Sequence, residues 1–293
     1  MSERRLKNLS ASIRQRLLNL ARARDEDFQL TLTRFGLERL LYRLSRSAYA
    51  DQFLLKGAML FSVWSKEVYR PTRDLDLAGS GDSSLDHIRE LFEDVCRIAV
   101  EPDGLELPPE SIRVHKIREP SEYIGVRVRL EGRMHTTRIP LQIDIGFGDA
   151  VTPEPTEITY PTLLDLPAPT LRAYRRETVV AEKFQAIVVL GIANTRMKDF
   201  YDLCMLAKEF DFDRAQLARA IAATFERRKT PLPDGLPIAF QQEFWSSKES
   251  EWSAFLKKDS LVQAIQLEDV VQRLTEFIGP ALNEARQRGR VRE

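Results

Sequence analysis

Hydrophobic and polar positions alternate with two different periods along the chain. Near the N-terminus apolar residues recur every three or four positions, which predicts amphipathic helices over residues 9–24 and 31–47. Between residues 52 and 160 short apolar runs alternate at every second position, as in strands with one buried face, and a further helix is predicted over residues 84–99. These runs predict strands at residues 53–55, 75–77, 112–117, 124–130 and 139–145.

The helical period returns in the second half of the chain. One more short extended stretch and a proline-punctuated connection, Tyr160 to Pro169, come first. Residues 231–237, with three prolines and one glycine, form the clearest loop beyond it. Helices are predicted over residues 176–191, 198–209, 213–228, 239–256 and 260–288. The pattern therefore predicts an α/β region with a mixed sheet, followed by a helical region.

The length of the chain, 293 residues, is typical of about two domains. We expect N-terminal helices over residues 1–50, an α/β core over residues 51–160 and a helical C-terminal domain over residues 161–293. Lysine plus arginine and aspartate plus glutamate number 44 each, so no overall positive field attracts nucleic acid. Any contact with nucleic acid must therefore come from a local basic patch.

Both ends of the chain offer such a patch. The charges of the first 24 residues are explained either by a solvated helix face or by contact with RNA or a partner. The candidate residues are Arg4, Arg5, Lys7, Arg14, Arg16, Arg22 and Arg24 near the start, and Arg286, Arg288, Arg290 and Arg292 near the end.

Cysteine usage and the N-terminal sequence favour a cytoplasmic protein. Cys96 and Cys204 both lie in apolar helical contexts outside any CxxC pair, which is typical of thiols in a reducing compartment. The sequence shows no signal peptide and no run of about 18 apolar residues, so we expect no membrane contact.

The segment Arg73-Asp74-Leu75-Asp76-Leu77 carries the sharpest candidate chemistry. Alternate side chains of a strand share a face, so Asp74 and Asp76 project together while the leucines enter the core. Two neighbouring carboxylates repel each other unless one is protonated or a cation lies between them. A divalent metal with oxygen ligands relieves this repulsion, and Mg²⁺ is the default.

Asp144 extends this candidate metal site to a second predicted strand. It alternates with apolar residues in Leu141-Gln142-Ile143-Asp144-Ile145, at mid-strand rather than at a turn. Three carboxylates from neighbouring strands would hold one or two metals for in-line phosphoryl transfer. The DxD pair alone is weak evidence for this function, because it recurs in glycosyltransferases, in hydrolases and by chance.

Lys56-Gly57-Ala58 lies at the end of a predicted strand. A small-small pair there lets backbone N–H groups approach an anion closely, and a following helix would present its N-terminus to the same anion. That geometry suits a triphosphate, whereas an ordinary tight turn explains Gly57 equally well if it stands alone.

Two groups in the helical half have two interpretations each. Lys183 is flanked by apolar residues at helical spacing, so it either snorkels to water or meets a buried anion. Asp199 and Asp202 flank an apolar stripe, where an exposed salt-bridge ladder that includes Lys198 is the simple explanation.

The sequence lacks the motifs on which several other functional classes are usually recognised. The three histidines are not at zinc-ligand spacing, and no GxSxG, Walker A or Rossmann GxGxxG motif occurs. No C₂H₂ or RNP-type nucleic-acid motif occurs either.

Six segments in order across about residues 50–210 resemble the AbiEii/AbiGii toxin nucleotidyltransferases, within the DNA polymerase β-like nucleotidyltransferase superfamily. The segments are Lys56-Gly57-Ala58, Arg70-Pro71-Thr72-Arg73-Asp74-Leu75-Asp76-Leu77, Ile143-Asp144-Ile145-Gly146-Phe147-Gly148-Asp149, Tyr160-Pro161 with Leu163-Leu164, Ala181-Glu182-Lys183-Phe184 with Ala186, and Arg196 with Lys198-Asp199-Phe200-Tyr201-Asp202-Leu203. The resemblance implies a polymerase β-like α/β core, a helical C-terminal domain that completes the active site, and Mg²⁺-dependent nucleotide transfer from an NTP.

The resemblance also implies a role for each candidate residue. Asp74 and Asp76 would bind the metal, and Asp144 would be the third metal-site carboxylate, which draws a proton from the acceptor hydroxyl. Gly57 and Ala58 would hold the triphosphate, although Ala58 lacks the hydroxyl that a serine often supplies there. The nucleotide-binding set is completed by Lys56, Arg73, Lys183 and Arg196, and the site is completed from the helical side by Asp199 and Asp202.

The leading hypothesis is therefore the toxin of a toxin–antitoxin (abortive infection) pair. It would transfer NMP from an NTP to RNA, with the tRNA 3′ end as the expected acceptor and a cognate antitoxin as partner. Two alternatives stay open, namely nucleotidylylation of a protein partner and a non-catalytic nucleotide- or RNA-binding module.

Overall fold

The computed structural model describes residues 3–65, 70–118, 124–258, 261 and 265–290. The chain divides into two compact units. The first consists of Met1–Gly148 and Thr156–Ala173 and contains the described strands, and the second consists of Asp149–Pro155 and Tyr174–Glu293 and is helical. The domain limits expected from the sequence stay predictions.

The strands of the first unit form one mixed sheet. They are β1 Phe53–Lys56, β2 Asp74–Gly79, β3 Arg113–Arg118, β4 Ile124–Met134, β5 Thr137–Phe147, β6 Thr156–Thr159 and β7 Thr170–Ala173. Across the described residues their order is β3-β4-β5-β2-β1-β7-β6. β5 pairs in parallel with β2, and β7 with β1, while the other neighbours are antiparallel. The predicted α/β fold with a mixed sheet is confirmed, and β7 is a strand that the proline-rich sequence did not reveal.

The helices of this unit are α1 Glu3–Ala23, α2 Phe28–Ser45, α3 Phe61–Trp64 and α4 Leu85–Arg97. Of these, α1, α2 and α4 contact strands of the sheet, whose apolar residues share one face. On β5 the residues Ile139, Leu141 and Ile143 are buried. Gly36 of α2 lies so close to this face that a Cβ there would come within 2.7 Å of Leu141. The other face of the sheet carries the polar residues of each strand.

A buried group of charges joins α2 to two loops of the same unit. The Arg39 guanidinium is fully buried and donates to Asp103 at 3.1 Å and to the Pro167 carbonyl oxygen at 2.7 Å. Arg43 donates to both oxygens of Asp103, at 2.8 and 3.2 Å. Because a buried charge is costly without a partner, this network favours a single arrangement of the loops.

The second unit is built from helices around an aromatic core. The helices are α5 Arg176–Leu190, α6 Met197–Glu209, α7 Arg214–Arg227, α8 Gln242–Ser247, α9 Glu249–Lys258 and α10 Leu267–Arg290. The prediction of one helix over residues 239–256 is wrong, since a 3-10 turn and two short helices occupy that region. The predicted helix over 260–288 corresponds to α10, and positions 260 and 262–264 lie outside the described residues. Phe184 lies 5.5 Å from Phe225 and 6.0 Å from Phe240, measured between ring centroids.

Both thiols are free, as the sequence predicts, and Cys204 is buried. No helix in the described part of the chain is long and apolar enough to cross a membrane.

Candidate active site

The pairing of β2 with β5 brings the predicted carboxylates onto one face of the sheet. Asp76 is the Cα partner of Asp144, and Asp74 is the partner of Gln142 two positions away. Paired residues of neighbouring strands point to the same face, and so do residues two apart on one strand. All three carboxylates are partly buried on the polar face, while Leu75 is fully buried on the opposite face.

Gly57 lies directly against this group of carboxylates. It follows β1 with φ +72°, a left-handed conformation that favours glycine, and a Cβ there would overlap the carboxylate of Asp76. The chain continues into a 3-10 turn, Gly57–Leu60, and then into α3, which has only four residues. The backbone N–H groups of the turn are therefore what this segment offers to an anion, because α3 is too short to add a helix dipole.

The side chain of Arg127, on β4, holds Asp144 from the neighbouring strand. Its Nε donates to Oδ1 and its Nη2 to Oδ2, both at 2.7 Å, in a bidentate pair. The hydrogen bond to Asp144 raises the pKa of the Arg127 guanidinium, and the charges of Asp74 and Asp76 add to this effect. Arg127 thus compensates part of the mutual repulsion of the three carboxylates.

The donor set fits a magnesium ion only in part. No group of three or more His, Cys, Asp or Glu side chains within the described ranges is arranged as a metal centre. Asp74 and Asp76 nevertheless share a face next to the close approach at Gly57, and Mg²⁺ is usually held by one or two carboxylates together with water and substrate phosphates. Both oxygens of Asp144 are bonded to Arg127, so its role as a metal ligand stays a prediction.

Two further nucleotide-binding candidates lie at the edge of the same group. Lys56, on β1, is the Cα partner of Asp76 on β2, and its side chain is partly buried on the same face of the sheet. Arg73 is exposed and immediately precedes β2. Ala58 lies in the 3-10 turn after Gly57.

The four candidates in the helical unit come together with one another. Lys183 Nζ lies 2.9 Å from Asp199 Oδ1 and 2.8 Å from Asp202 Oδ2, and both aspartate side chains are fully buried. Arg196 Nε lies 2.7 Å from Asp199 Oδ2. Burial by itself raises the pKa of Asp199, but the charges of Lys183 and Arg196 hold that pKa below its usual value.

This geometry decides between the two interpretations of Lys183, because the lysine meets buried anions rather than water. The interpretation of Asp199 and Asp202 as part of an exposed ladder with Lys198 is wrong. Both carboxylates face the interior of the unit, where Lys183 of α5 neutralises them. The sequence could not show this, since it does not reveal how α5 and α6 pack.

Arg127 is the site residue that sequence reasoning missed. It lies in Val126-Arg127-Val128, an alternation typical of any strand with one exposed face. Only the register, which makes Arg127 the Cα partner of Asp144, distinguishes it from other arginines on β4. Such pairing between strands is not encoded in a local motif.

The two predicted basic patches differ in their contacts. Arg14 donates to Thr137 at 3.0 Å and lies over the Phe28 ring, while Arg16, Arg22 and Arg24 are exposed. Near the C-terminus the side chains bond to their own surroundings, Arg288 to Glu284 at 2.9 Å and Arg286 to Asn283 and the Gly235 carbonyl oxygen. The side chains of Arg4, Arg5, Lys7, Arg290 and Arg292 lie outside those described.

The mixed sheet carries neighbouring carboxylates and a glycine turn on its polar face. The family model described as "Nucleotidyl transferase AbiEii toxin, Type IV TA system" matches residues 39–274. The chain therefore belongs to the AbiEii family, the toxin nucleotidyltransferases of type IV toxin–antitoxin systems.

One solved structure shares the fold at low sequence identity, and a second is similar at a lower TM-score. MenT4, a nucleotidyltransferase toxin from Mycobacterium tuberculosis, is similar over 94% of this chain and 98% of its own, with 16% identity and a TM-score of 0.53. JHP933 from Helicobacter pylori is similar over 87% of this chain and 93% of its own, with 16% identity and a TM-score of 0.48. No curated protein matches the sequence.

Proposed function

We propose that the protein transfers a nucleoside monophosphate from an NTP to RNA, with Mg²⁺ as cofactor and the tRNA 3′ end as acceptor, in the cytoplasm. One observation carries this proposal: the register of β2 and β5 gathers Asp74, Asp76 and Asp144 beside Gly57. Carboxylate oxygens beside a close backbone approach suit a magnesium-bound triphosphate. Family membership supports toxin nucleotidyltransfer and implies an antitoxin, and the metal and the acceptor are our additions.

In the sheet unit, different residues would bind the metal, bind the triphosphate and orient the acceptor hydroxyl. Asp74 and Asp76 would hold Mg²⁺, which when bound neutralises charge on the reacting phosphates. The backbone N–H groups at Gly57 and Ala58 bind phosphate oxygens of the NTP. Asp144, fixed by Arg127, accepts the hydrogen bond and then the proton of the acceptor hydroxyl, whose oxygen bonds to the α-phosphorus of the NTP as pyrophosphate leaves.

For the helical unit the proposal is narrower. Lys183 and Arg196 would be its phosphate-binding residues, as the family resemblance implies, and Asp199 and Asp202 act as positioning residues that hold the Lys183 ammonium in place. Two features support this, the family resemblance of the segment and the direct contacts of 2.9 and 2.8 Å between Lys183 and the aspartates.

A labelling experiment tests the proposal. Protein, Mg²⁺ and each α-labelled NTP are incubated with total RNA, and the products are separated on denaturing gels. We expect label in an RNA of tRNA size. Label in a protein would instead support nucleotidylylation, and no label with any NTP would support a non-catalytic module.

Two matched variants show whether the carboxylates are responsible. Asp76→Asn keeps the shape of the side chain and removes its charge, and we expect it to abolish labelling while the melting temperature stays near that of the wild type. Asp86→Asn removes an exposed carboxylate on α4 and should label at the wild-type rate. Labelling at the wild-type rate by Asp76→Asn would contradict the metal-site assignment.

A further inference from the structure

Arginines line the polar face of the sheet immediately beside the carboxylates. Arg129 lies two positions from Arg127 on β4, on the same face, and is the Cα partner of Gln142. Arg113, on the outer strand β3, is in turn the Cα partner of Arg129, and both are exposed. Farther along the same face, Arg133 of β4 is paired with Arg138 of β5.

These pairings place like charges directly opposite each other. Side chains of directly opposed residues in an antiparallel pair have Cβ atoms about 5 Å apart, and like charges in such a pair are destabilising. Arg113 faces Arg129 in this way, and Arg133 faces Arg138. A bound polyanion would turn the repulsion between Arg113 and Arg129 into favourable contacts.

The charges of Arg113 and Arg129 are not neutralised by carboxylates among the residues that the structure describes. Arg113 donates to the backbone carbonyl oxygens of Glu110 and Ile112, at 2.9 and 2.7 Å. Arg129 donates to the amide oxygen of Gln142 at 3.1 Å.

The charges of the second arginine pair are balanced by two acids. Glu131 lies 3.0 Å from Arg133 and 3.7 Å from Arg138, and the exposed Glu106 is the bridge partner of Arg133 on the other side of β4. The excess positive charge of this face therefore comes from Arg113 and Arg129. The Arg138 side chain is 78% exposed, which leaves it open to a ligand.

The order of the strands indicates from which side the acceptor approaches the carboxylates in the proposed reaction. Gly57 follows β1, on one side of the carboxylate strands β2 and β5, and Arg113, Arg129 and Arg133 lie on β3 and β4, on the other side. In-line transfer needs the attacking and leaving oxygens on opposite sides of the reacting phosphorus. If the triphosphate lies at Gly57, the acceptor must approach from the side of β4.

We propose that the face formed by Arg113, Arg129, Arg133 and Arg138, which we call the arginine face, binds the backbone of a single-stranded RNA acceptor end. This rests on the proposed function, because it assumes that the carboxylates are the reaction centre. Residues two apart on a strand are about 7 Å apart, so the face extends about 20 Å from Arg127 to Arg133. The arginines spread over that length, with Glu131 between Arg129 and Arg133, fit phosphates of one strand, which bind without sequence preference.

The test uses two double variants with equal changes of charge. Arg113→Gln with Arg129→Gln removes the central pair, and Arg16→Gln with Arg22→Gln removes two exposed arginines of α1, the competing basic patch. Filter binding measures the affinity for labelled total tRNA and for a short single-stranded oligoribonucleotide at several salt concentrations. A separate titration without RNA measures the affinity for Mg²⁺ and a fluorescent NTP analogue.

We expect the arginine-face variant to bind both RNAs about tenfold more weakly, with a salt dependence (log K against log salt) that is shallower by about 1.4, the value for two lost phosphate contacts on a single strand. Its affinity for the NTP analogue should stay within about twofold, and its melting temperature should not fall, because a like-charge pair is removed. The α1 variant should bind RNA like the wild type.

The outcomes separate this inference from the proposed function. If the wild type labels RNA but the arginine-face variant binds RNA with unchanged affinity and salt dependence, the arginine face is not the RNA site although the transferase is. If RNA binding depends on these arginines but no nucleotide is transferred, the result supports the arginine face as an RNA site and contradicts the proposed transferase function. If the wild type binds no RNA and labels a protein, the arginine face is overturned.

Discussion

Arg127 and Asp144 form a bidentate ion pair across β4 and β5, with both hydrogen bonds at 2.7 Å. The pair lies on the face where Asp74 and Asp76 also project, so it places a fixed cation among three carboxylates. Removing the guanidinium would leave Asp144 without its orienting partner and make the surroundings of Asp74 and Asp76 more negative. These two effects act on different measurable quantities.

We therefore predict opposite changes for Arg127→Ala. Nucleotide transfer should fall by about 10- to 100-fold, as expected when a residue that orients a site carboxylate is lost. Binding of Mn²⁺, measured by electron paramagnetic resonance in the absence of NTP, should become tighter, because one positive charge is gone. Arg97→Ala, which removes an exposed arginine paired with Glu93 on α4, is the control and should change neither quantity. Weaker Mn²⁺ binding by Arg127→Ala would contradict this account of the pair.

Substitutions at two glycines with positive φ distinguish the effect of backbone strain from the effect of a clash with the Asp76 carboxylate. Gly57→Ala introduces a Cβ at φ +72° that overlaps Asp76, whereas Gly81→Ala introduces one at φ +89° with nothing within 4 Å. Both variants should lose about 1–2 kcal/mol of unfolding free energy from the backbone alone, measured by urea denaturation. Only Gly57→Ala should also lose nucleotide transfer and Mn²⁺ binding, since its Cβ displaces Asp76. Equal losses of activity in both variants would show that the contact with Asp76 is unimportant.

The sequence predicted the sheet region well because its signals are local. Alternation of Leu75 and Leu77 with Asp74 and Asp76 is enough to assign both the strand and the shared face of the carboxylates. The segment around Asp144 carries the same signal, and the pairing of β2 with β5 confirms that the two strands are neighbours.

The features that the sequence did not reveal depend on partners far away in the chain. Arg127 is one of several alternating arginines until the register places it opposite Asp144. Asp202 reads as a surface residue of an amphipathic helix until Lys183, from another helix, is seen at 2.8 Å. A local pattern gives the spacing of charges on an element but not the element that covers them.

The contacts of Lys183 predict a large effect on stability. Lys183→Met would leave the fully buried Asp199 and Asp202 without the ammonium that neutralises them, which costs about 3–5 kcal/mol for a buried pair. We expect the melting temperature to fall by about 10 °C, measured by differential scanning calorimetry. Lys248→Met breaks a pair with the more exposed Glu251 and should cost about 1 kcal/mol or less.

This expectation affects how toxicity is interpreted. Relief of growth arrest by Lys183→Met assigns a role in the reaction only if the variant is expressed and folded at the growth temperature. A variant with the wild-type melting temperature would contradict the structural role of the Lys183 cluster. Undiminished toxicity from a well-expressed variant would remove Lys183 from the site.

The carboxyl of Glu38 predicts a dependence of stability on pH. Burial raises its pKa from 4.5 to about 7, despite the hydrogen bond from the Leu163 N–H and the charges of Arg39 and Arg34. The folded state therefore binds this proton more tightly than the unfolded state does. The resulting stabilisation is complete below pH 4.5, declines between pH 4.5 and 7, and is absent above pH 7.

Glu38→Gln keeps an uncharged side chain at every pH and still offers an oxygen to the Leu163 N–H. We expect no effect on the unfolding free energy near pH 4.5 and a gain of about 3 kcal/mol at pH 8, where the wild type must bury a charged carboxylate. Urea denaturation at pH 4.5, 6 and 8 measures the difference, and Glu110→Gln, at an exposed position, should show none. If the attraction of Arg39 outweighed the cost of burial instead, Glu38→Gln would destabilise the protein at pH 8, because the ion pair at 3.6 Å would be lost.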